Sequence, residues 1–305
     1  MRTLNELVVI PGPNAASLSK SIALLSGAAL SNVHRKIFPD GEIYVRLEHI
    51  YLNKPHRALI VSSMYPNQAS SFLETMLLID ASKRHGASEV IALIPYIAFS
   101  RQDKVFLSGE PISIEVILKG LYLSGASHLI TADIHNPKSL REFPGTFTNV
   151  MVSDILVRES LKYVDNPIIL APDIGALERA SFAAKKHGLD FDYLVKTRDK
   201  ASGEVTYEPR EVNLSGRNIV IVDDVISTGG TIAESTKVCL SRGALSIVVV
   251  ATHSLFVGGA RDRIINAGVK KIITTNTVPV IKDEAVEVID ISERLVEAIR
   301  ELTES

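Results

Sequence analysis

Short apolar runs alternate along this chain with amphipathic segments that are long enough to form helices. Most of the runs are rich in Val, Ile and Leu throughout rather than at every second position. Strands of this kind are typical of parallel sheets, whose two faces are both covered by helices. The pattern predicts an α/β fold with strands at Leu7–Ile10, Ala58–Ser62, Val90–Pro95, Leu129–Asp133, Ile168–Ala171, Tyr193–Val195, Asn218–Asp223, Ser246–Thr252 and Lys271–Thr274.

Glycines mark the ends of the predicted helices. The helical segments are Ser70–His85, Ile112–Ser124, Ala176–His187 and Thr231–Arg242, and the glycines that follow them are Gly86, Gly125, Gly188 and Gly243. A glycine just past a helix commonly takes the left-handed conformation that closes its last turn. A further helix is predicted over Ile291–Leu302, where apolar residues recur at helical spacing.

The length of the chain favours two domains, because 305 residues hold two units of about 150 residues each. The polar stretch Asn136–Asn149, which contains prolines and a glycine, lies between two regions of strands and helices. We therefore predict an N-terminal domain over 1–150, a C-terminal domain over 151–290, and a final helix over 291–305 that packs back on a domain. Each domain is predicted to be a mainly parallel sheet flanked by helices.

The composition excludes several classes of protein. Hydrophobic residues make up 46% of the chain and charged residues 22%, which is typical of a globular protein. A net charge of -2 gives no reason to expect a nucleic-acid partner. No apolar run reaches the ~18 residues of a membrane span and no signal peptide is visible, so we expect a soluble cytoplasmic protein.

The single cysteine, Cys239, is expected to be a small core residue.

The segment from Asp223 to Thr231 has the residues of a phosphate-binding loop. Gly229 and Gly230 let the backbone approach an anion closely. The N–H groups at the start of the following helix can ring a phosphate, together with the hydroxyls of Ser227, Thr228 and Thr231. Asp223 and Asp224 would repel the phosphate and suit the hydroxyls of an attached sugar, or a cation. A plain strand-to-helix turn with a capped helix is the alternative interpretation. The segment fits neither a Walker A loop nor a dinucleotide fingerprint.

This loop resembles the phosphoribosyl-pyrophosphate loop of type I phosphoribosyltransferases and their relatives. Three other segments extend the resemblance: Phe38–Ile43, Tyr96–Ile112 and Asp133–Asn136. Together they are similar to the ribose-phosphate pyrophosphokinase family, over Phe38 to Phe256, with loops closer to the archaeal members than to the animal ones. The resemblance implies two phosphoribosyltransferase-like domains.

The resemblance implies that the ATP-binding residues lie in the first half of the chain. Arg101 and Gln102 correspond to the nucleotide-binding pair of the family, although Arg101 alone could equally form a surface ion pair. Phe38, Asp40 and Glu42 correspond to an adenine-binding loop that reaches into a neighbouring subunit's site, so a homodimer or a larger homo-oligomer is implied. By itself this segment would be interpreted as a turn.

The resemblance also implies metal-binding and catalytic residues. His135 corresponds to a histidine of the metal and nucleotide site, and Asp173 to a metal-site aspartate, with Mg²⁺ as the ion. Lys196 and Arg198 correspond to the catalytic flexible loop, and a solvated hairpin is the alternative interpretation. The sequence departs from the common family pattern at Ile174, Ala176 and Ser227, the last of which replaces a carboxylate.

The implied reaction is the transfer of pyrophosphate from MgATP to the C1 hydroxyl of ribose 5-phosphate, which gives phosphoribosyl pyrophosphate and AMP. Two alternatives remain open at this point. One is a phosphoribosyltransferase, which transfers a base. The other is a non-catalytic regulatory homologue, which is expected to have lost Lys196, Arg198, His135 or the Asp223–Thr231 loop. No nucleic-acid or membrane partner is expected.

Overall fold

The structure is a computed structural model that describes residues 6–48, 56–198, 205–209 and 212–304, with the backbone alone at 196–198, 205–209, 303 and 304. The chain forms two compact units. Unit 1 comprises Met1–Val150, Thr277–Pro279 and Asp290–Ser305, and unit 2 comprises Met151–Asn276 and Val280–Ile289.

Unit 1 is built on a six-stranded parallel sheet with the strand order β2–β1–β5–β6–β7–β8. These strands are β1 (Leu7–Pro11), β2 (Ala29–Leu30), β5 (His56–Val61), β6 (Ala87–Leu93), β7 (His128–Ala132) and β8 (Thr146–Val150). A separate antiparallel hairpin consists of β3 (Val33–Ile37) and β4 (Ile43–Leu47). The helices are α1 (Ala16–Ser26), α2 (Gln68–Arg84), α3 (Ser113–Leu123) and α8 (Ser292–Glu304), of which α8 packs on α1.

Unit 2 is built on a seven-stranded sheet with the strand order β11–β10–β9–β12–β13–β14–β15. All neighbouring pairs are parallel except β10 and β11. The strands are β9 (Ile168–Ala171), β10 (Phe191–Arg198), β11 (Val205–Pro209), β12 (Asn218–Ile226), β13 (Ser246–Ser254), β14 (Lys271–Thr275) and β15 (Val286–Ile289). The helices are α4 (Ser153–Ser160), α5 (Leu177–His187), α6 (Gly230–Ser241) and α7 (Ala260–Asn266).

The sheet of unit 2 is covered on both faces. Alternate residues of a strand point to opposite faces of a sheet. Ile219 and Ile221 of β12 belong to the core layer that contains Cys239 of α6, whereas Val220 and Val222 belong to the layer that contains the alanines of α5. Cys239 is fully buried, and this burial raises the pKa of its thiol to about 12. The expectation that Cys239 is a core residue is confirmed.

The predicted fold class is confirmed, because both main sheets are mainly parallel and flanked by helices. Each predicted strand and helix overlaps an observed element of the same type. The four glycines predicted to follow helices all have positive φ angles, of 88°, 116°, 64° and 83° in chain order. The hairpin β3–β4 and the short elements β2, β8, β11, β15, α1, α4 and α7 were not predicted. No helix in the described part of the chain is long and apolar enough to cross a membrane.

Two of the predicted strands end three residues too early. The strand predicted over Asn218–Asp223 continues to Ile226, and the one predicted over Tyr193–Val195 extends from Phe191 to Arg198. In each case polar residues suggested an end, but a neighbouring strand continues the pairing. Ile226 of β12 is aligned with Ser254 of β13, and Arg198 of β10 is aligned with Val205 of β11.

Candidate active site

The turn between β12 and α6 requires glycine at residue 229. Gly229 has a left-handed φ of 74° and precedes the first residue of α6. A Cβ atom at this position would lie 3.0 Å from Cδ1 of Ile264 and 3.1 Å from the carbonyl oxygen of Ala260, both on α7. At Gly230 the nearest heavy atom to such a Cβ would be the Thr228 hydroxyl oxygen, at 4.0 Å. The first glycine therefore forms the turn, and the second keeps the space beside the helix start open.

Hydrogen bonds to two carbonyl groups fix the orientation of this loop. The Val257 N–H donates to the Ser227 carbonyl at 2.9 Å. The Arg263 guanidinium donates to the Thr228 carbonyl through Nη1 and to the Gly258 carbonyl at 3.3 Å through Nη2. In a trans peptide the C=O and the following N–H point in opposite directions. The Thr228 N–H consequently points away from Val257, and the Gly229 N–H points away from Arg263.

Asp223 and Asp224 lie inside β12 rather than at its end, which corrects the sequence-based placement at the strand tip. Asp224 is 4% exposed, and its Oδ1 atom lies 3.4 Å from Nη1 of Arg179 on α5. Oδ1 of Asp223 accepts a hydrogen bond of 2.9 Å from the backbone N–H of Asp224. Burial first, and then the negative charge of Asp224, raise the pKa of Asp223 well above its ordinary value, while Arg179 opposes the rise.

Asp173 caps the short 3-10 turn that follows β9. Its Oδ1 atom accepts hydrogen bonds from the N–H groups of Gly175 at 2.8 Å and Ala176 at 3.3 Å. The residue itself is exposed, so its carboxylate can also meet a ligand. Ile174 is 70% exposed and Ala176 is buried. The two departures from the family pattern therefore fit this turn without disturbing the cap.

Lys196 and Arg198 lie in the last part of β10. The backbone of this part pairs with β11 as an antiparallel hairpin, with Lys196 aligned with Tyr207. The side chains of both residues, and residues 199–204, lie outside what the structure describes. Their catalytic role stays a prediction.

In unit 1, Phe38, Asp40 and Glu42 occupy the turn of the β3–β4 hairpin. The Phe38 N–H donates to the Glu42 carbonyl at 2.9 Å, and the Glu42 N–H donates to Oδ1 of Asp40 at 3.2 Å. The Phe38 ring contacts Tyr44 edge-on with the centroids 6.0 Å apart, and the Lys36 ammonium lies 4.5 Å from the Phe38 centroid. Asp40 and Glu42 are exposed, so the turn presents an aromatic ring and two carboxylates to solvent.

In unit 1, a hydrogen bond between Asn136 and Asp103 connects the chain segments that contain the predicted nucleotide-binding residues. Asn136 and Asp103 themselves were not predicted as site residues. Nδ2 of Asn136 lies 2.5 Å from Oδ2 of Asp103, which joins the segment of His135 to the segment of Arg101 and Gln102. Arg101 and His135 are exposed. The side-chain carbonyl of Gln102 accepts a hydrogen bond from the Ser113 hydroxyl at the start of α3. Gln102 therefore also anchors its own loop to that helix.

Comparisons with known proteins show the family of this chain. A family model described as the N-terminal domain of ribose phosphate pyrophosphokinase matches residues 7–125, and one described as the phosphoribosyl synthetase-associated domain matches residues 210–305. The ribose-phosphate pyrophosphokinase of Sulfurisphaera tokodaii is 37% identical over 288 residues, which cover 94% of this chain and 98% of that protein. The chain belongs to the ribose-phosphate pyrophosphokinase family.

Other members of the family give the same result. The ribose-phosphate pyrophosphokinase of Pyrococcus furiosus is 42% identical over 254 residues, which cover 83% of this chain and 88% of that protein. The crystal structure of phosphoribosylpyrophosphate synthetase from Mycobacterium smegmatis matches with a TM-score of 0.89 and 25% identity, over 98% of this chain and 99% of that one. The resemblance seen in the sequence, including its archaeal character, is confirmed. The protein is a transferase of the kinase type, as its relatives are.

Four residues that shape the candidate site were not predicted from the sequence. Arg263 and Arg179 are the main ones, and Asn136 and Asp103 form a further pair. No sequence pattern indicates Arg263, because its contact with Thr228 forms only on tertiary folding. A pattern does indicate Arg179, since it is a charged residue on the buried, mainly apolar face of α5, at helical spacing from Ala183. A charge in that position indicates a buried partner.

Proposed function

We propose that this protein is a ribose-phosphate diphosphokinase, which transfers pyrophosphate from MgATP to the C1 hydroxyl of ribose 5-phosphate and releases AMP. The observation that carries the proposal is the β12–α6 loop. Its N–H groups at Thr228 and Gly229, which point away from Val257 and Arg263, follow a few residues after a pair of carboxyl groups, Asp223 and Asp224. This combination of anion donors and hydroxyl acceptors fits a sugar phosphate.

Ribose 5-phosphate would bind with its phosphate at the start of α6. The N–H groups of the loop and the hydroxyls of Ser227, Thr228 and Thr231 supply donors, while Gly230 leaves space for the oxygens. The carboxyl groups of Asp223 and Asp224 would bind ribose hydroxyls. Burial and the neighbouring carboxylate raise the pKa of Asp223, which favours its protonated form, and a protonated carboxyl group can donate as well as accept hydrogen bonds.

ATP would be bound by residues of unit 1. Arg101 can fork onto phosphate oxygens, and Gln102 and His135 complete the nucleotide contacts in this proposal. The hairpin turn with Phe38, Asp40 and Glu42 suits an adenine, since a ring can stack on the base and carboxylates accept from its amino group. We infer from the family resemblance that this turn serves a neighbouring subunit, so that the enzyme works as a cytoplasmic homodimer or larger homo-oligomer.

The residues proposed for the metal suit Mg²⁺. Asp173 offers an exposed carboxylate, which is the hard oxygen ligand that this ion prefers, and the family resemblance implies His135 as a further metal-site residue. Mg²⁺ keeps several waters and is commonly held by one or two carboxylates together with substrate phosphates, so few protein ligands are needed. When bound, it would neutralise charge on the ATP phosphates. Lys196 and Arg198 would stabilise the negative charge that develops on the transferred group.

The near-complete coverage of relatives that are named pyrophosphokinases favours this reaction over transfer of a base. The decisive measurement is AMP formation from ATP, ribose 5-phosphate and Mg²⁺ with no base present. AMP and phosphoribosyl pyrophosphate should appear in equal amounts. Absence of AMP, together with release of pyrophosphate from phosphoribosyl pyrophosphate when a base is added, would instead establish a phosphoribosyltransferase.

A further inference from the structure

Among the ion pairs of the described residues, the pair formed by Arg179 and Asp224 is the most deeply buried. The two side chains are 7% and 5% exposed, and Nη1 lies 3.4 Å from Oδ1. Arg179 lies on the face of α5 that packs on the sheet, beside Ala180 and Ala183. A buried guanidinium is retained in such an apolar layer only when a partner compensates its charge.

Asp223 belongs to the same cluster of charges. Its Oδ1 atom is bonded to the backbone N–H of Asp224, and its carboxyl group experiences the charges of both Asp224 and Arg179. The adjacent carboxyl groups of half-buried Asp223 and buried Asp224 repel each other, and the guanidinium is the positive charge that offsets this repulsion. The contact of the guanidinium with Oδ1 of Asp224 also restricts the movement of that carboxyl group.

We propose that Arg179 is a positioning residue for ribose 5-phosphate, which holds Asp224 in the orientation that accepts hydrogen bonds from the ribose hydroxyls. This inference rests on the proposed function, since it assumes that Asp223 and Asp224 bind the sugar. Arg179 acts from the interior of unit 2, through the carboxylate pair and without touching the substrate. It should therefore affect the acceptor substrate and leave ATP binding almost unchanged.

The test compares Arg179→Gln and Arg179→Lys with a matched control in the same unit. The control is Arg217→Gln, which removes an ion pair with Asp190 at 3.3 Å on the surface, far more exposed than the Arg179 pair. Arg179→Gln should raise the KM for ribose 5-phosphate roughly ten- to a hundredfold, with the KM for ATP within about twofold of the wild type. Arg179→Lys keeps the charge without the planar fork, so its increase should be smaller. Arg217→Gln should change neither KM.

An unchanged KM for ribose 5-phosphate in Arg179→Gln, or an equal rise for both substrates, would overturn the inference. If Arg179→Gln does not fold, the double variant Arg179→Gln/Asp224→Asn removes the uncompensated charge and is compared with Asp224→Asn alone. Equal KM values for ribose 5-phosphate in these two variants would show that Arg179 acts through Asp224. A further rise in the double variant, of about tenfold or more, would contradict it.

Failure of the proposed function would look different. The wild-type protein would then form no AMP, and calorimetric titration with ribose 5-phosphate alone would decide the role of Arg179. Weaker binding to Arg179→Gln than to Arg217→Gln supports the inference. Equal binding to the two variants rejects it.

Discussion

Gly229 and Ile264 approach so closely that a Cβ atom at residue 229 would lie 3.0 Å from Cδ1 of Ile264. Gly229 also has a φ of 74°, whereas Gly230 begins α6 and has open space around it. The two adjacent glycines thus have different physical roles, and their substitution by alanine separates the stability of the loop from its function.

Gly229→Ala should lower the free energy of unfolding by about 1–3 kcal/mol, because it adds a strained φ and a contact with α7. Gly230→Ala should raise it by about 0.5 kcal/mol, since alanine suits the first turn of a helix. Both substitutions should weaken ribose 5-phosphate binding. In Gly230→Ala the cause is the added methyl group, which would lie beside the phosphate. Urea denaturation and substrate titration measure the two effects. Equal unfolding free energies in the two variants would contradict the assignment.

Arg263→Ala should disorder the phosphate loop without unfolding unit 2. The Arg263 side chain is exposed, so little core packing is lost, but the Thr228 carbonyl loses its donor. We expect the KM for ribose 5-phosphate to rise about tenfold, with the melting temperature nearly unchanged. Arg261→Ala is the control, since Arg261 is on the same helix but pairs with Asp283 at 2.8 Å. Similar kinetics for the two variants would argue against a support role for Arg263.

Asp223 should make stability depend on pH. Because burial and Asp224 raise its pKa in the folded state, the folded protein binds this proton more tightly than the unfolded chain does. The resulting stabilisation is complete below the ordinary carboxyl pKa of 3.8 and is lost as the pH rises through the raised folded value. Asp223→Asn should lack this loss, so its stability relative to the wild type should increase with pH. Denaturant titrations over a pH series, with exposed Asp190→Asn as control, measure the difference. If the unfolding free energies of the wild type and Asp223→Asn change with pH in parallel, Asp223 does not cause the pH dependence.

Cys239 should be unreactive in the folded protein. Its thiol is fully buried and has a pKa raised to about 12, so the thiolate that reacts with disulfide reagents is nearly absent at pH 8. A disulfide reagent such as DTNB should release no chromophore until denaturant is added, and then one equivalent. Rapid reaction under native conditions, at the rate of an exposed thiol, would show that the α6 layer opens.

Lys196→Ala should lower kcat far more than it weakens ribose 5-phosphate binding. The family resemblance assigns Lys196 to the transition state, where a cation stabilises charge that the bound ground state does not carry. Single-turnover kinetics and substrate titration separate the two quantities. Lys185→Ala is the control, since the Lys185 ammonium lies 5.7 Å from the Phe191 ring centroid on the surface of α5. Unchanged turnover in Lys196→Ala would remove this residue from the mechanism.

Local patterns in the sequence were sufficient for α2, α3, α5, α6 and α8 and for most strands. The ligand class inferred for the loop stays a prediction. Apolar strands and left-handed glycines such as Gly188 depend on backbone preferences that neighbouring residues set. The extension of β12 to Ile226 was not predictable in this way, because it depends on pairing with β13. The β3–β4 hairpin was missed because its strands are largely exposed and carry no continuous apolar run.

The sequence by itself determined that the chain alternates strands and helices, and that Asp223–Thr231 combines hydroxyls, glycines and carboxylates in the manner of a sugar-phosphate loop. The tertiary structure decided how that loop is held. Arg263 of α7 donates to the Thr228 carbonyl of the loop, and Arg179 of α5 compensates the charge of the buried Asp224. Residue types and local spacing are written in the chain, so chemistry that depends on them can be inferred directly. The partner of a buried charge is set by which helix packs on which face of the sheet, and only folding brings the two residues together.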